Sequence, residues 1–534
     1  MRNYIVVRRL ATQPKLANAP KRKWRSVVGL EVHAQIASTS KLFSGSGTAF
    51  GAPLNTGVAY FDASIPGTLP VLNRKCVESG IKTALALGCR VNEVSMFDRK
   101  HYFYADLPVS KSNNLPTKAL NCCFQNGFQI TQQRAALANN GLMTFPVITP
   151  GKKVYYKSVN LLQLQLEQDS GKSLHDDYMK RSLVDLNRAG LPLMELVFAP
   201  DLETGEEASS LVKELMLILR RLQTCSCKME EGALRVDANI SIHQEGEPFG
   251  VRTEVKNIGS VRSISQAISY EINRQLELVA DGGVVTNETR NWDAENRRTV
   301  AMRDKEVLQD YRFMPEPNLP PLHLNLKPGS RSTKELISVA ELSEQIPELP
   351  EHTRQRLMEH YKLNAETAII LVNEPVLLEH FVNITKSLAG VPTKVTTNFL
   401  INDLLTYCNK LNLDVEDCAI SAEALKDVLQ ALHADEINLQ AARQLIQLLH
   451  NNPSQSVSQL VADHNLQQIC DLSSIEAYCQ QAIANQPKAV QQYHKGKSKA
   501  LFAIVGEVAK LSEQKANMKL VVQCLEKVLK NSNK

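Results

Sequence analysis

The stretch that most restricts how this chain can fold is residues 229–257, MEEGALRVDANISIHQEGEPFGVRTEVKN. From Leu234 onward apolar and polar residues alternate. Leu234, Val236, Ala238, Ile240 and Ile242 fall on one side, and Arg235, Asp237, Asn239, Ser241 and His243 on the other. A period of two belongs to a half-buried strand and does not fit a helix. QEGEPFG supplies turn residues, and alternation resumes with Val251, Thr253 and Val255 against Arg252, Glu254 and Lys256. The pattern predicts an antiparallel hairpin. Such a face is commonly just solvated. Here acidic and basic groups are interleaved with an Asn, and oxygen ligands beside Lys and Arg are what a magnesium–nucleotide site needs.

More carboxylates arrive upstream. In WRSVVGLEVHAQI, Val28, Leu30, Val32 and Ala34 alternate with Gly29, Glu31, His33 and Gln35, so Glu31 and His33 project together from one strand face. LLQLQLEQDSGKS brings Glu167, Asp169 and Lys172. Glu195 lies inside the apolar run LPLMELVF, where a carboxylate is costly unless paired or metal-bound. Arg99 and Lys100 precede an aromatic strand and are plausible phosphate contacts. The Gly-, Ser- and Pro-rich segment at 41–73 reads as loop, and no GxxxxGK[ST] occurs anywhere in the chain.

At 534 residues the chain is long enough for two to four domains. No apolar run approaches the roughly 20 residues of a membrane helix, so no membrane insertion is expected. A net charge of +5 is too small to diagnose nucleic-acid binding. The eleven cysteines show no metal-site spacing, which favours a reducing compartment. No acidic residue precedes Glu31, whereas Arg2, Arg8, Arg9, Lys15, Lys21, Arg22, Lys23 and Arg25 are basic. Residues 1–26 therefore read as a mitochondrial transit peptide, directing the chain to the matrix; a disordered basic tail and a nuclear signal are the alternatives. ETGEEASSLVKELMLILRRLQT and GSVRSISQAISYEINRQLELVADGG are amphipathic helices, and ESGIKTALALGCRVN is a short one ended by Gly88. Beyond about 330 the signal is helical. The last segment carries Lys495, Lys497, Lys499, Lys527, Lys530 and Lys534, an RNA-facing tip or a solvated helix end. The fold class is α+β: an antiparallel-sheet domain with flanking helices, followed by an all-helical region. Expected boundaries are 27–320 for the catalytic domain, 321–380 for a helical connector and 381–534 for a helical tail.

SLVDLNRAGLPLMELV, MEEGALRVDANISI and RTEVKNIGS together make a specific pattern. With VGLEVHAQI, PGTLPVLN, LEQDSGKS, DYRFMPEPNLPPL and GKSKALFAIVGEVAK, in that family's order, the chain resembles the GatB family from about residue 27 to its end. These are the B subunits of the GatCAB glutamyl-tRNA(Gln) amidotransferase. The resemblance implies ATP-dependent phosphorylation of the γ-carboxylate of Glu-tRNA(Gln), then amidation to Gln-tRNA(Gln). The ammonia comes from a GatA-type glutaminase subunit in a heterotrimer with a GatC-type small subunit. A carboxylate is a poor acyl donor, and an acyl phosphate solves that. The resemblance further implies Mg2+ and ATP as cofactors, and a YqeY-like tRNA-binding tail at 381–534. It gives Glu31, His33, Glu167, Glu195, Asp237 and Glu254 as metal ligands. Asp237, Glu254 and Lys256 are the catalytic groups, and Arg99, Lys100, Lys256 and Asn257 the nucleotide contacts. No amidase-type Ser-Ser-Lys segment is present, so the nitrogen must come from a partner.

Two departures from the family pattern stand out. Where many relatives place a zinc knuckle of four cysteines, this chain has Ser44, Ser46, Ala59 and Asp62, so no zinc is expected there. Residues 109–125, VSKSNNLPTKALNCCFQ, interrupt the family pattern, and removing them restores FYADLPNGFQITQQ. Val-Ser is encodable as GTAAGT and Phe-Gln as TTTCAG, good splice-donor and splice-acceptor sequences. The stretch reads as a retained intron, with a genuine species-specific loop as the alternative; transcript sequencing separates them. Two other functional classes compete with the enzyme. A non-catalytic RNA-binding scaffold predicts loss of the carboxylates and His33, all of which are present. A metal-dependent hydrolase unrelated to tRNA has no use for the basic helical tail.

Overall fold

The computed structural model describes residues 23–101, 128–149, 151–176, 178–179, 181–302, 312–388 and 390–531. Most of the leader and all of the 109–125 stretch lie outside the described residues. The chain divides into two compact units, one through Glu351 and one from His352.

The first unit is built from thirteen strands that bear on the site. These are β1 (Trp24–Gln35), β2 (Arg90–Val91), β3 (Val94–His101), β4 (Phe128–Ala135), β5 (Ala138–Val147), β6 (Tyr155–Gln168), β7 (Lys172–Asp176), β8 (Arg181–Asp185), β9 (Pro192–Phe198), β10 (Leu234–Gln244), β11 (Thr253–Lys256), β12 (Glu288–Asp293) and β13 (Arg298–Ala301). Nine of them form one sheet in the order β13-β12-β11-β10-β1-β9-β6-β5-β2. All its pairings are antiparallel except β11 with β12. A second sheet contains β3 and β4, and β7–β8 is a separate hairpin.

The hairpin expected at 234–256 is present as β10 and β11, with Ala238 opposite Val255 and Asn239 opposite Glu254. The apolar members of each alternating pattern face three helices: α1 (Arg74–Ala86), α2 (Gly205–Arg221) and α3 (Val261–Ala280). Val28, Leu30, Val32, Leu164, Leu166, Met194, Leu196, Val236, Ala238 and Ile240 are all buried in this core. The polar members consequently emerge together on the opposite face. The helices start where their sequences say they should. Thr204 caps α2 by accepting from the Glu207 N–H at 3.1 Å, Glu206 and Glu207 sit in its first turn, and Arg220 and Arg221 in its last.

The stretch read as a helical connector differs in its first part. Leu322–Asn325 and Ile337–Ser338 are strands that extend the second sheet: the alternating run Leu322–Asn325 pairs with the edge of β3, and Ile337–Ser338 pairs with Leu322–Asn325 in turn. The second unit is helical. One turn is π-helical, at Phe399–Leu405, and the last four α-helices close over Ile475, Cys479, Ile504, Val508, Val521 and Leu525. Among the described residues no single helix is long and apolar enough to cross a membrane.

Candidate functional site

The site lies on the open face of the nine-stranded sheet, and strand register assembles it. His33 is the cross-strand partner of Glu195 on β9 and of Arg235 on β10, while Glu31 pairs with Asp237. Glu195 in turn pairs with Gln165 on β6, two residues before Glu167. Asn239 pairs with Glu254, which lies beside Thr289 on β12. Residues from six strands thus share one face although the chain separates them by more than two hundred positions.

Two subclusters follow. In the first, ligand atoms of His33, Glu167 and Glu195 all lie within 4.8 Å of one another. Burial raises the pKa of Glu167 and of Glu195; Lys100 opposes the shift in each, its ammonium standing 3.6 Å from Glu167 Oε2. Glu195 is oriented by Gln165, whose Nε2 donates to Glu195 Oε2 at 2.5 Å and also to Thr131 Oγ1. Burial pushes the His33 pKa down, so its 3.9 Å approach to Glu195 is that of a neutral imidazole and not an ion pair. A neutral ring with two carboxylates is a competent donor set for a divalent cation.

In the second subcluster the Lys256 ammonium is 3.3 Å from Asp237 and 3.3 Å from Glu254. Burial works against its charge, but the two carboxylates prevail and hold its pKa above the ordinary lysine value. Glu31 stands beside them, its pKa raised by burial and then by Glu254 and Asp237, with Asn239 Nδ2 donating to it at 3.1 Å. Thr289 Oγ1 donates to Glu254 Oε2 at 3.1 Å. A cavity of about 280 Å³ opens between the subclusters, lined among others by His33, Lys100, Glu167, Asp237, Lys256 and Asn257.

A family model described as the GatB/GatE catalytic domain matches residues 26–328, and one described as the GatB domain matches 379–529. The chain belongs to the GatB family. A Drosophila melanogaster protein, named as the mitochondrial B subunit of glutamyl-tRNA(Gln) amidotransferase, is 80% identical over the whole of both chains. A human protein of the same name is 45% identical, covering 95% of this chain and 89% of its own length. A Rickettsia rickettsii protein, named as the B subunit of aspartyl/glutamyl-tRNA(Asn/Gln) amidotransferase, is 38% identical over 95% of this chain and 98% of its own.

Of the residues expected from the GatB resemblance, Glu31, His33, Glu167, Glu195, Asp237, Glu254, Lys100 and Lys256 share the open sheet face or its cavity. Asn257 lines the cavity from a left-handed backbone conformation (φ 60°), its amide donating to Asn291 Oδ1 at 2.7 Å. Arg99 is separated from them. Adjacent strand residues point to opposite faces, and Arg99 turns away from Lys100 into a bidentate pair with buried Glu316 (2.6 and 3.0 Å) and over the Phe128 ring. Gln165, Asn239 and Thr289 orient site carboxylates, a role sequence reasoning did not assign them. The alternation Gln163, Gln165, Glu167 was a usable signal for the first; the contact of Thr289 with Glu254 crosses between strands and leaves no local trace.

At the four positions where the family resemblance implied cysteines, Ser44, Ala59 and Asp62 are tied to one another. Asp62 Oδ2 accepts from Lys41 Nζ at 3.0 Å, from Ser44 Oγ at 3.1 Å and from the Ala59 N–H at 2.9 Å.

Proposed function

We propose that this chain is the B subunit of a mitochondrial tRNA-dependent amidotransferase. It phosphorylates the γ-carboxylate of Glu-tRNA(Gln) with ATP and converts the product to Gln-tRNA(Gln) with ammonia from a glutaminase partner. The observation that carries this reading is the joint presence, on one face of a GatB-family sheet, of a carboxylate–imidazole cluster and a lysine held between two carboxylates.

His33, Glu167 and Glu195 fit a divalent cation, because their donor atoms already converge and the imidazole is neutral. Mg2+ bound there would neutralise the oxygens of ATP and of the incoming carboxylate. Lys100 and Lys256 are cations at the cavity wall, suited to holding phosphoryl oxygens. Asp237 and Glu254 fix the Lys256 ammonium and keep it charged. They are also the bases able to take the proton released when ammonia becomes an amide. Leu193 lines the same cavity with an apolar side chain. The helical tail 381–534 is the tRNA-binding element in this reading. Lys495, Lys497, Lys499 and Lys527 are exposed on it, as phosphate contacts require. A GatC-type small subunit completes the heterotrimer, and the basic leader directs the chain to the mitochondrial matrix.

The test is Glu-tRNA(Gln)-stimulated ATP cleavage by the purified heterotrimer, with and without Asp237→Ala. Stimulation in the wild type that the variant loses by at least about 100-fold is expected, because Asp237 fixes the Lys256 ammonium against the phosphoryl oxygens and losing one preorganised electrostatic group is on that scale. Full activity in the variant would remove Asp237 from the site. No stimulation in the wild type would favour a non-catalytic scaffold.

A further inference from the structure

The second unit carries a thiol–imidazole cluster that the reaction above does not use. Cys408 lies on the helix Thr406–Leu411, which follows directly on the π-helical turn, and its side chain is wholly buried. That helix ends at Asn412 in a left-handed conformation (φ 53°). The chain then turns back through one 3-10 turn, Val415–Asp417, with Val415 buried beneath it. Cys418 closes the turn, its N–H donating to the Val415 carbonyl at 3.2 Å. The reversal sets the two thiols beside each other, and burial followed by the Cys418 neighbour pushes the Cys408 thiol up to about 12. A third element, the helix Leu439–Asn451, brings His450 Nδ1 to 3.8 Å from Cys418 Sγ, within reach of a thiol–imidazole hydrogen bond. The Tyr407 ring packs edge-on against that imidazole, with centroids 5.8 Å apart. Both cysteines are free thiols.

The three groups differ in what they can do. Cys418 is 7% exposed, with Asp417 and Ala419 open to solvent on either side, whereas Cys408 is inaccessible. The thiolate is the reactive form of cysteine, and an adjacent imidazole can take the proton that must leave. Cys225, Cys227, Cys470 and Cys479 have backbone carbonyls as partners, and a carbonyl cannot remove a thiol proton. The geometry points to Cys418 as a peroxide-reactive thiol, with His450 as its base and Cys408 as the resolving thiol of a reversible disulfide. His450 takes the Cys418 proton, and the thiolate attacks one oxygen of hydrogen peroxide. The S–O bond forms, the O–O bond breaks, and the departing hydroxide takes the proton from the imidazolium and leaves as water. Cys408 then attacks the sulfenic sulfur: the S–S bond forms, the S–O bond breaks, and hydroxide leaves with the Cys408 proton as a second water. The two thiols lose two electrons, and the peroxide gains them.

The experiment treats the reduced, assembled heterotrimer with a small molar excess of hydrogen peroxide, blocks free thiols with N-ethylmaleimide and maps the peptides by mass spectrometry. A Cys408–Cys418 crosslink that dithiothreitol reverses is expected. Cys408→Ser is expected to halt the sequence at the sulfenic acid, so that dimedone labels Cys418. In that background, His450→Gln should slow labelling about 10-fold at neutral pH, because an unassisted thiol is only a few per cent thiolate there. The gap should close at about pH 9.5, above the ordinary thiol range, where no base is needed; a merely structural role for His450 would leave it open. Absence of the crosslink in the wild type would overturn the proposal, whatever the variants do. So would oxidation of the Cys225–Cys227 or Cys479–Cys524 thiols at an equal rate, which would mean unselective chemistry. Labelling unchanged by His450→Gln, or slowed equally at both pH values, would overturn the part given to the imidazole.

Discussion

Replacing Lys41 by Met tests how this chain holds the Gly-, Ser- and Pro-rich loop at 41–62 with a buried ion pair. Lys41 and Asp62 are both essentially inaccessible, with side-chain exposures of 0% and 1%. Their 3.0 Å separation corresponds to a gross attraction of about 5.5 kcal/mol at an effective dielectric near 20. Lys41 also donates to the Leu186 carbonyl, and Asp62 lies against Gly190, whose φ of 81° and lack of Cβ permit the close approach. The pair therefore ties the 41–62 loop to the segment that leads into β9. Burial nonetheless dominates over Asp62 and lowers the Lys41 pKa. A base with a depressed folded pKa contributes stability above its unfolded value of 10.5, lost as pH falls through the folded value. At neutral pH, keeping the ammonium charged is thus a net cost.

Two consequences follow from that balance. Lys41→Met leaves Asp62 as a buried anion with only a hydroxyl and one N–H for support, and should cost about 3–5 kcal/mol. With an unfolding entropy of about 2.1 cal/mol/K per residue over roughly 350 residues, Tm should fall by about 4–7 °C. The double variant Lys41→Met/Asp62→Leu removes both charges and should recover at least half of that loss. Calorimetry of the single and double variants at pH 7.5 measures both. A single variant within about 1 °C of the wild type would refute the reasoning, since it would mean that Asp62 is solvated or neutral without its partner. A double variant no better than the single one would refute the claim that the buried charge is what costs.

Other perturbations address the reaction site. Glu195 has a raised folded pKa, so its contribution to stability is full below the unfolded value of 4.5 and is lost as pH rises through the folded value. Without divalent cation, Glu195→Gln should therefore gain in Tm relative to wild type as pH rises from 5 to 8, a comparison that cancels the opposite trend from His33. Adding Mg2+ at about 100 times its Kd should stabilise the wild type by about 2.7 kcal/mol and the variant hardly at all; equal stabilisation of both would remove Glu195 from the ligand set. Thr289→Val deletes the hydrogen bond to Glu254 while keeping the side-chain shape. It should lower kcat about 3- to 10-fold, equivalent to roughly 1 kcal/mol, with Tm unchanged; an unaltered kcat would show that Glu254 needs no such support.

What the sequence determined by itself was everything that depends on local period. Alternation at 24–35 and 234–256 specified strands and fixed which side chains share a face, because successive strand residues point opposite ways whatever the strand pairs with. That is why Glu31 with His33, and Asp237 with Glu254 and Lys256, were legible from the chain alone. Amphipathic period likewise marked α2 and α3, and charge placement marked α2, with its acidic first turn and basic last turn. The tertiary structure decided the registers. His33 meets Glu195 and Arg235, and Glu254 meets Thr289, through pairings between strands far apart in sequence, set by how the whole apolar face is buried. The same long-range packing took Arg99 to Glu316, more than two hundred residues away, and left Lys100 in the cavity. It also brought Arg235 to Asp169, a contact no stretch of the sequence encodes, because the two lie on surfaces that meet only when the sheet closes.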